Sequence, residues 1–519
     1  MRTKSILSLT IHTRQSELFN YSCRNTNPLK HLRGRLLKSP RTTISGFRTY
    51  QSTTGVFNMK ASGEESSLSS SRASRAVSLL PTYLTDARAV QKYCPSTAPD
   101  GALQLSVAEN QMLEDLLVPA LTKFSRTRDS FPADGIYYQP THGREPLRNA
   151  LKNYLEDLLD LDKDSDGTID PDGIVVGAGC NAVLENLCVS LAEPGQGVMI
   201  PLPYYAAFEF DLGSRAGLEI VPVPTMEHST YDKSSGSSPP PEAYYLSRSA
   251  LDAAKQKSID ENGIEPRILL ISHPQNPLGI CYPPHVIEET IDWCRENKIH
   301  LVSDEIYAGS VYQKDAANFS SALKLASAPS PAEIGLGLGP YVHLVYALSK
   351  DFALSGLRVG VMYSENQEIR LPLQKLNDLC CVSSQTQCMV EDMMKEPSPS
   401  SSAQWTQTFL EENQRRIRER KNAWQSCLKE LGIPHLDATA GLFCWMDFSE
   451  FLPEEGTPSS RERALYLELL QEFGLLFTPG DSMKNELPGF FRCVFTAASD
   501  QEFELGMERL RKYVETKRA

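Results

Sequence analysis

Lys350 and Arg358 stand in the stretch YALSKDFALSGLRVG at residues 346–360. The apolar run YVHLVYAL leads into that lysine and reads as a buried strand. An amine just past a buried strand is desolvated, loses its proton more easily and becomes a nucleophile toward carbonyls. Ser349 offers a hydroxyl and Arg358 a fixed positive fork, a pair suited to a phosphate. Read alone, Lys350 could equally be a surface lysine on a loop. An amine beside a phosphate grip points instead to pyridoxal phosphate held as a Schiff base.

Other polar groups stand at the ends of apolar runs. They are the turn Gly179-Cys180-Asn181, the pair Tyr204-Tyr205, Asn276, and Asp304 with Tyr307. A carboxylate buried at a strand end is costly without a cationic partner, and a protonated pyridine nitrogen would be one. Asp304 would keep that nitrogen charged, Asn276 and Tyr307 would bond the ring hydroxyl, and Tyr205 would stack on the ring. Singly, each has a structural alternative: a polar cap, a turn Asn-Pro, a core tyrosine. The turn at 177–182 also fits the dinucleotide pattern GxGxxA, but the following strand, GVMIPLP, brings no carboxylate for a ribose. Its glycines still free N–H groups at a helix start to hold a phosphate.

The elements that must position these groups alternate. Residues 174–191 read strand, turn, helix; 198–205, 267–281 and 300–307 contain strands; 285–298 reads as a helix. Alternation across 110–360 implies an α/β fold with a doubly wound, mostly parallel sheet, whose ligands lie at the strands' carboxyl ends. A long charge-rich helix at 405–431, a strand at 441–447, a helix at 461–473, a strand at 490–495 and a last helix make a smaller α+β unit. The expected division is a leader at 1–76, a small-domain segment at 77–110, a large domain at 111–364 and a small domain at 365–519.

The chain has 519 residues, 41% hydrophobic and 23% charged, with a net charge of -13. That balance argues against general binding to nucleic acid or anionic membranes. No run of about 18 apolar residues marks a transmembrane helix. The 12 cysteines show no zinc spacing and read as reduced core residues, so no metal is expected. Residues 1–58 are rich in Arg, Lys, Ser and Thr, with Glu17 the only acid, as in a mitochondrial transit peptide; a start at Met59 is the alternative, which would leave the protein cytoplasmic. The Ser-rich stretch 66–76 is expected to be disordered, and 229–241 to be a surface loop. Residues 162–170 imitate a calcium loop, but Gly173 stands where its bidentate Glu belongs, so a plain polar loop is expected.

Taken together the motifs AENQMLEDLL, YYQPTHGREPLRNA, PLPYYAAFEFDLGSRAGLEIVPV, HPQNPLGI, SDEIYAGSVY, YALSKDFALSGLRVG, GLFCWMDF and FFRCVFT resemble fold-type-I pyridoxal phosphate enzymes. The superfamily is that of aspartate aminotransferase, and the subgroup most resembled is the aminocyclopropane-carboxylate synthases. The resemblance implies that Lys350 is the Schiff-base lysine and the proton carrier at the substrate α-carbon. It implies Asp304 under the pyridine nitrogen, Asn276 and Tyr307 on the ring hydroxyl, and Tyr205 on the ring face, with Tyr204 as the fallback. Gly179, Cys180, Asn181, Ser349 and Arg358 resemble the phosphate cup. Tyr138 matches the tyrosine that reaches the neighbouring subunit's phosphate, which implies a homodimer. Arg492 resembles the partner of the substrate carboxylate, and Glu109 an acid near the substrate.

The chain also departs from the synthase pattern. Ala347 replaces a serine, Thr141 a tyrosine, and Cys180 the usual hydroxyl of the cup. No motif supplies a second arginine for a dicarboxylic substrate. An aminotransferase is therefore the first expectation. The alternative is a lyase of the same scaffold, either synthase-like or a carbon–sulfur lyase of secondary metabolism. A cofactor-binding transcription regulator is the remaining alternative, but it needs a helix-turn-helix module and a basic surface that this acidic chain does not show.

Overall fold

The computed structural model describes residues 70–126, 133–161, 169–225, 239–313, 318–327, 336–399 and 401–519. The basic leader, most of the calcium-like loop and most of the Ser/Pro insertion at 229–241 lie outside them. The strands are β1 (Leu103–Gln104), β2 (Ile174–Gly177), β3 (Gly197–Pro201), β4 (Glu219–Val223), β5 (Pro266–Ser272), β6 (His300–Asp304), β7 (Val342–Ala347), β8 (Gly360–Ser364), β9 (Cys444–Asp447), β10 (Leu475–Leu476), β11 (Thr478–Pro479) and β12 (Phe490–Cys493).

Seven of them form one sheet in the order β2-β8-β7-β6-β5-β3-β4. Only β8 runs against its neighbours; the other pairings are parallel. Both faces are covered. On β5, β6 and β7 the side chains alternate between two apolar clusters. Leu269, Ile271, Leu301, Leu344 and Tyr346 belong to one, and Ile268, Leu270, Val302 and Val345 to the other. Alternation at period two between two buried faces makes these strands apolar throughout, so polar residues collect at their ends.

Register then decides what meets. Ser272 pairs with Asp304, and Asp304 with Val345. Gly177 pairs with Gly360, and Gly360 with Ala347. The carboxyl ends of β2, β5, β6 and β7 are thus level, and the turn after β2, Asp304 and the residues after β7 share one edge. The second assembly is smaller: β11-β12-β9 is antiparallel, and β1 pairs in parallel with β10. That last pair carries the chain at 105–110 from β1 across the edge of the large sheet.

Two expectations need correction. The Ser-rich stretch is partly helical: Ser71–Ser78 is an exposed helix, started by the Ser70 hydroxyl accepting from Ala73 N–H and tied by Arg75 to Glu219 at 2.8 Å. Among the cysteines, Cys188, Cys294 and Cys444 are free and buried as expected, whereas Cys94 is disulfide-bonded. No described helix is long and apolar enough to cross a membrane, and the described residues contain no cluster suited to a metal ion.

Candidate active site

β7 ends at Ala347 and passes into a one-turn helix, Leu348–Asp351, which presents Lys350. Its amine donates to the Ala108 carbonyl at 2.6 Å. Burial, and then the nearby Arg492 guanidinium, pull its pKa down to about 8, so about a tenth of the amine is neutral at pH 7. Lys350 lines a cavity of about 250 Å³ together with Cys180, Asn181, Tyr205, Asn276, Asp304, Tyr307, Ser349, Arg358 and Arg492. Ten of the expected site residues, drawn from six separate stretches of chain, therefore face one space.

Asp304 closes β6 and is buried. Its contacts are weak for a carboxylate: the Ile306 N–H at 3.4 Å and the Cys180 thiol at 3.9 Å. Burial pushes it up to about 7. A carboxylate this poorly compensated fits a cationic ring nitrogen brought by a ligand. Burial also raises the Tyr205 and Tyr307 hydroxyls, which stay protonated donors. Edge-on contacts fix both rings, Tyr205 against Phe208 and Tyr307 against Phe443, each at 5.3 Å between centroids. Tyr204 faces elsewhere, its hydroxyl donating to Glu209 at 3.0 Å.

The turn after β2 fits a phosphate. Helix Cys180–Leu191 starts directly behind Gly179, whose φ is +92°. A Cβ at Gly179 would strike the Arg358 guanidinium, so only glycine leaves that cradle open. Arg358 itself adopts a left-handed φ of 55°, held by bonds from its guanidinium to the Ser355 carbonyl at 3.0 Å and the Ala178 carbonyl at 3.5 Å. Strain of this kind is tolerated where the surroundings fix it. Asn181 donates to Asp211 at 2.7 Å, and Ser349 is buried in the wall. The Cys180 thiol, its pKa raised by burial, is in the cavity wall as expected.

Arg492 on β12 enters from the smaller assembly. It donates to the Asn276 carboxamide oxygen at 2.8 Å, to the Ser106 carbonyl at 2.7 Å and to the Thr478 hydroxyl at 3.2 Å, and lies over the Phe443 ring. Its Nε is buried with no partner, as expected of a guanidinium waiting for an anion. Glu109 sits beside the cavity and not in its wall, accepting from the Ser355 hydroxyl at 3.3 Å. Tyr138 is apart from the cavity and fully exposed.

Several lining residues were not anticipated. Ser106, Ala108, Tyr83, Leu84, Asp211 and Ser355 are brought in by tertiary packing. Ala108 acts through its carbonyl, for which residue type gives no signal. Ser355 and Asp211 were within reach, since both fall inside motifs already singled out.

Solved structures with this architecture define the class. The chain superposes on aspartate aminotransferase from Thermotoga maritima with a TM-score of 0.63, at 18% identity, covering 86% of this chain and 100% of that one. On the aromatic aminotransferase from Pyrococcus horikoshii the TM-score is 0.62, at 20% identity, covering 80% and 96%. This is the fold of type-I pyridoxal phosphate transferases. The sequence pattern of aminotransferase class I and II matches residues 103–510, and the chain belongs to that family of pyridoxal phosphate-dependent enzymes. It is 34% identical over 433 residues to 1-aminocyclopropane-1-carboxylate synthase 7 of Arabidopsis thaliana, covering 82% of this chain and 90% of that one. It is 33% identical over 430 residues to 1-aminocyclopropane-1-carboxylate synthase 1 of Oryza sativa subsp. indica, covering 81% and 82%.

Proposed function

We propose that this protein draws the α-proton from a small α-amino acid and transfers the amino group to a 2-oxo acid. The convergence of Lys350, Asp304 and Arg492 on one cavity carries the α-proton step, and the departures at Thr141 and Ala347 favour transfer over synthase chemistry. Pyridoxal phosphate, when bound, supplies an aldehyde that links to amines and a ring that withdraws electrons from the α-carbon. Gly179, Cys180, Asn181, Ser349 and Arg358 would hold its phosphate. Asp304 would accept from the protonated ring nitrogen, Asn276 and Tyr307 would bond the ring hydroxyl, and Tyr205 would stack on the ring. Arg492 grips the substrate carboxylate, exchanging its bond to the Ser106 carbonyl for a charged partner. Lys350, released from the Ala108 carbonyl, takes the α-proton and can return it.

Among the described lining residues, Arg358 and Arg492 are the only guanidinium groups. With one on phosphate and the other on the α-carboxylate, none remains for a side-chain carboxylate. Dicarboxylic amino acids are therefore not the favoured substrates. Tyr138 follows Ile136 and Tyr137, and all three are exposed apolar residues in a row. A second copy covering them would bring each Tyr138 to the neighbour's phosphate.

One finding favours a second reading. The relatives at 33–34% identity are named as synthases that form a cyclopropane ring. A lyase would use Lys350, Asp304 and Arg492 alike. Against synthase chemistry stand Thr141, whose hydroxyl is spent on the Gln374 carbonyl at 2.5 Å, and Ala347, which is buried without a hydroxyl. Incubation with amino acids and S-conjugates, followed by mass spectrometry of cofactor and products, separates the readings. Transamination leaves the amino group on the cofactor and releases a 2-oxo acid. Release of ammonia with a thiol, or of a cyclopropane amino acid with a thioether, the cofactor unchanged, would replace the aminotransferase by a lyase.

A further inference from the structure

The residue after the lysine is the least expected group near the site. Asp351 is fully buried within the one-turn helix that presents Lys350. Three donors converge on its carboxylate. Ser310 Oγ reaches Oδ1 at 2.6 Å; the Gly309 N–H reaches Oδ2 at 2.7 Å; the Tyr346 hydroxyl reaches Oδ2 at 3.0 Å. Tyr346 is bonded in turn to the Tyr154 hydroxyl at 2.8 Å. Only glycine fits at 309, because a Cβ there would lie 2.7 Å from Oδ2. The turn that supplies these donors directly follows Tyr307.

A second set of bonds braces the same junction. Asn413, buried on helix Trp405–Glu430, donates to the Asp351 carbonyl at 2.9 Å and accepts from Asn110 at 2.9 Å. Gln414, next on that helix, donates to the Gly309 carbonyl at 2.9 Å. Both halves of the junction are thus clamped to one helix, and Asn110 adjoins the stretch whose Ala108 carbonyl holds the Lys350 amine.

We propose that Asp351 is a positioning residue for Lys350: its carboxylate pins the helix carrying the lysine to the turn carrying Tyr307, and so fixes where the amine stands. A buried carboxylate meeting three donors and no cation is a costly way to stabilise a fold, whereas it fixes a backbone from three directions. Asparagine can keep the geometry. Its carbonyl would accept from Gly309 and Tyr346, and its NH₂ would donate to Ser310. Alanine cannot. The proposal rests on Lys350 being the reactive amine of the function proposed above.

The test strips pyridoxal phosphate from the full-length chain and follows its recapture by absorbance, beside turnover of the holoenzyme. D351A should slow recapture about 10- to 100-fold and lower kcat similarly, with the KM for the amino acid within about threefold. D351N should recapture and turn over close to wild type. Y154F, which cuts the chain one hydroxyl away from Asp351, should lose thermal stability and recapture normally. Should D351A not fold, S310A removes one of the three donors and should slow recapture by about two- to fivefold. Recapture by D351A or S310A at the wild-type rate overturns the proposal, as does a D351N variant as slow as D351A. A wild-type enzyme that recaptures through Lys350 but exchanges no amino-acid α-proton would defeat the proposed function and leave this comparison decisive.

Discussion

The two ends of β6 and β7 both bury ionisable groups, and they treat them in opposite ways. At the amino ends, His300 and His343 bond each other at 3.1 Å, and His343 bonds the Ser364 hydroxyl at 2.8 Å. Burial lowers both histidines, His300 to about 4, so they stay neutral and mutually satisfied. At the carboxyl ends, Asp304 has one long N–H contact and a thiol, and the Lys350 amine rests on a single carbonyl. The same two strands thus close their polar network at one end and leave it open at the other. An open network in a cavity is one that a ligand completes, whereas a closed one only supports the fold.

Substitutions can break this contrast, and the largest effect is expected at Lys350. K350A should abolish the absorbance of lysine-bound cofactor and slow α-proton exchange by about 10³-fold or more. Next comes D304N, expected to lower kcat by about 10²- to 10³-fold as the ring loses its charged partner, with the chain still folded. The sign of its pH dependence follows from the raised pKa of about 7. The folded chain holds this proton where the unfolded chain has lost it, so Asp304 contributes stability below about pH 4 that is lost as pH rises through 7. Urea unfolding of the cofactor-free protein should therefore show D304N gaining on wild type by about 2–4 kcal/mol between pH 4 and 8.

R492K should raise KM by about 10- to 100-fold and lower kcat less, because an ammonium cannot reproduce the bidentate fork; steady-state kinetics reads this directly. The smallest catalytic effect belongs to the other end of the strands. H343L should cost about 1–3 kcal/mol of stability while kcat per folded molecule stays unchanged. Here the pH sign is reversed. His300, depressed from 6.5 to about 4, contributes stability that is present above pH 6.5 and lost as pH falls through 4. Wild-type stability should fall by up to about 3 kcal/mol from this group on acidification, and unfolding curves between pH 7 and 4 measure it.

Much of the carboxyl-end arrangement was legible in the sequence, because apolar strands with polar residues just past their ends leave a plain pattern. Lys350, Asp304, Asn276 and the 179–181 turn could be named that way, and the register sets the ends of the strands that precede them level. The Arg492–Asn276 bond and the Lys350–Ala108 contact could not be read, since each joins residues more than 200 positions apart. Nor could the histidine pair: His300 and His343 look unremarkable until neighbouring strands bring them together. Asp351 was quoted in the lysine motif without a role, because its donors Gly309 and Ser310 lie on another turn. The short strands β10 and β11, at two residues each, carry no periodicity to detect.

Borohydride reduction of the holoenzyme, followed by peptide mapping, tests the open end of these strands most directly. The account predicts one phosphopyridoxyl group, on the peptide that carries Lys350. A label fixed to any other lysine, or the same labelling in K350A, would contradict it.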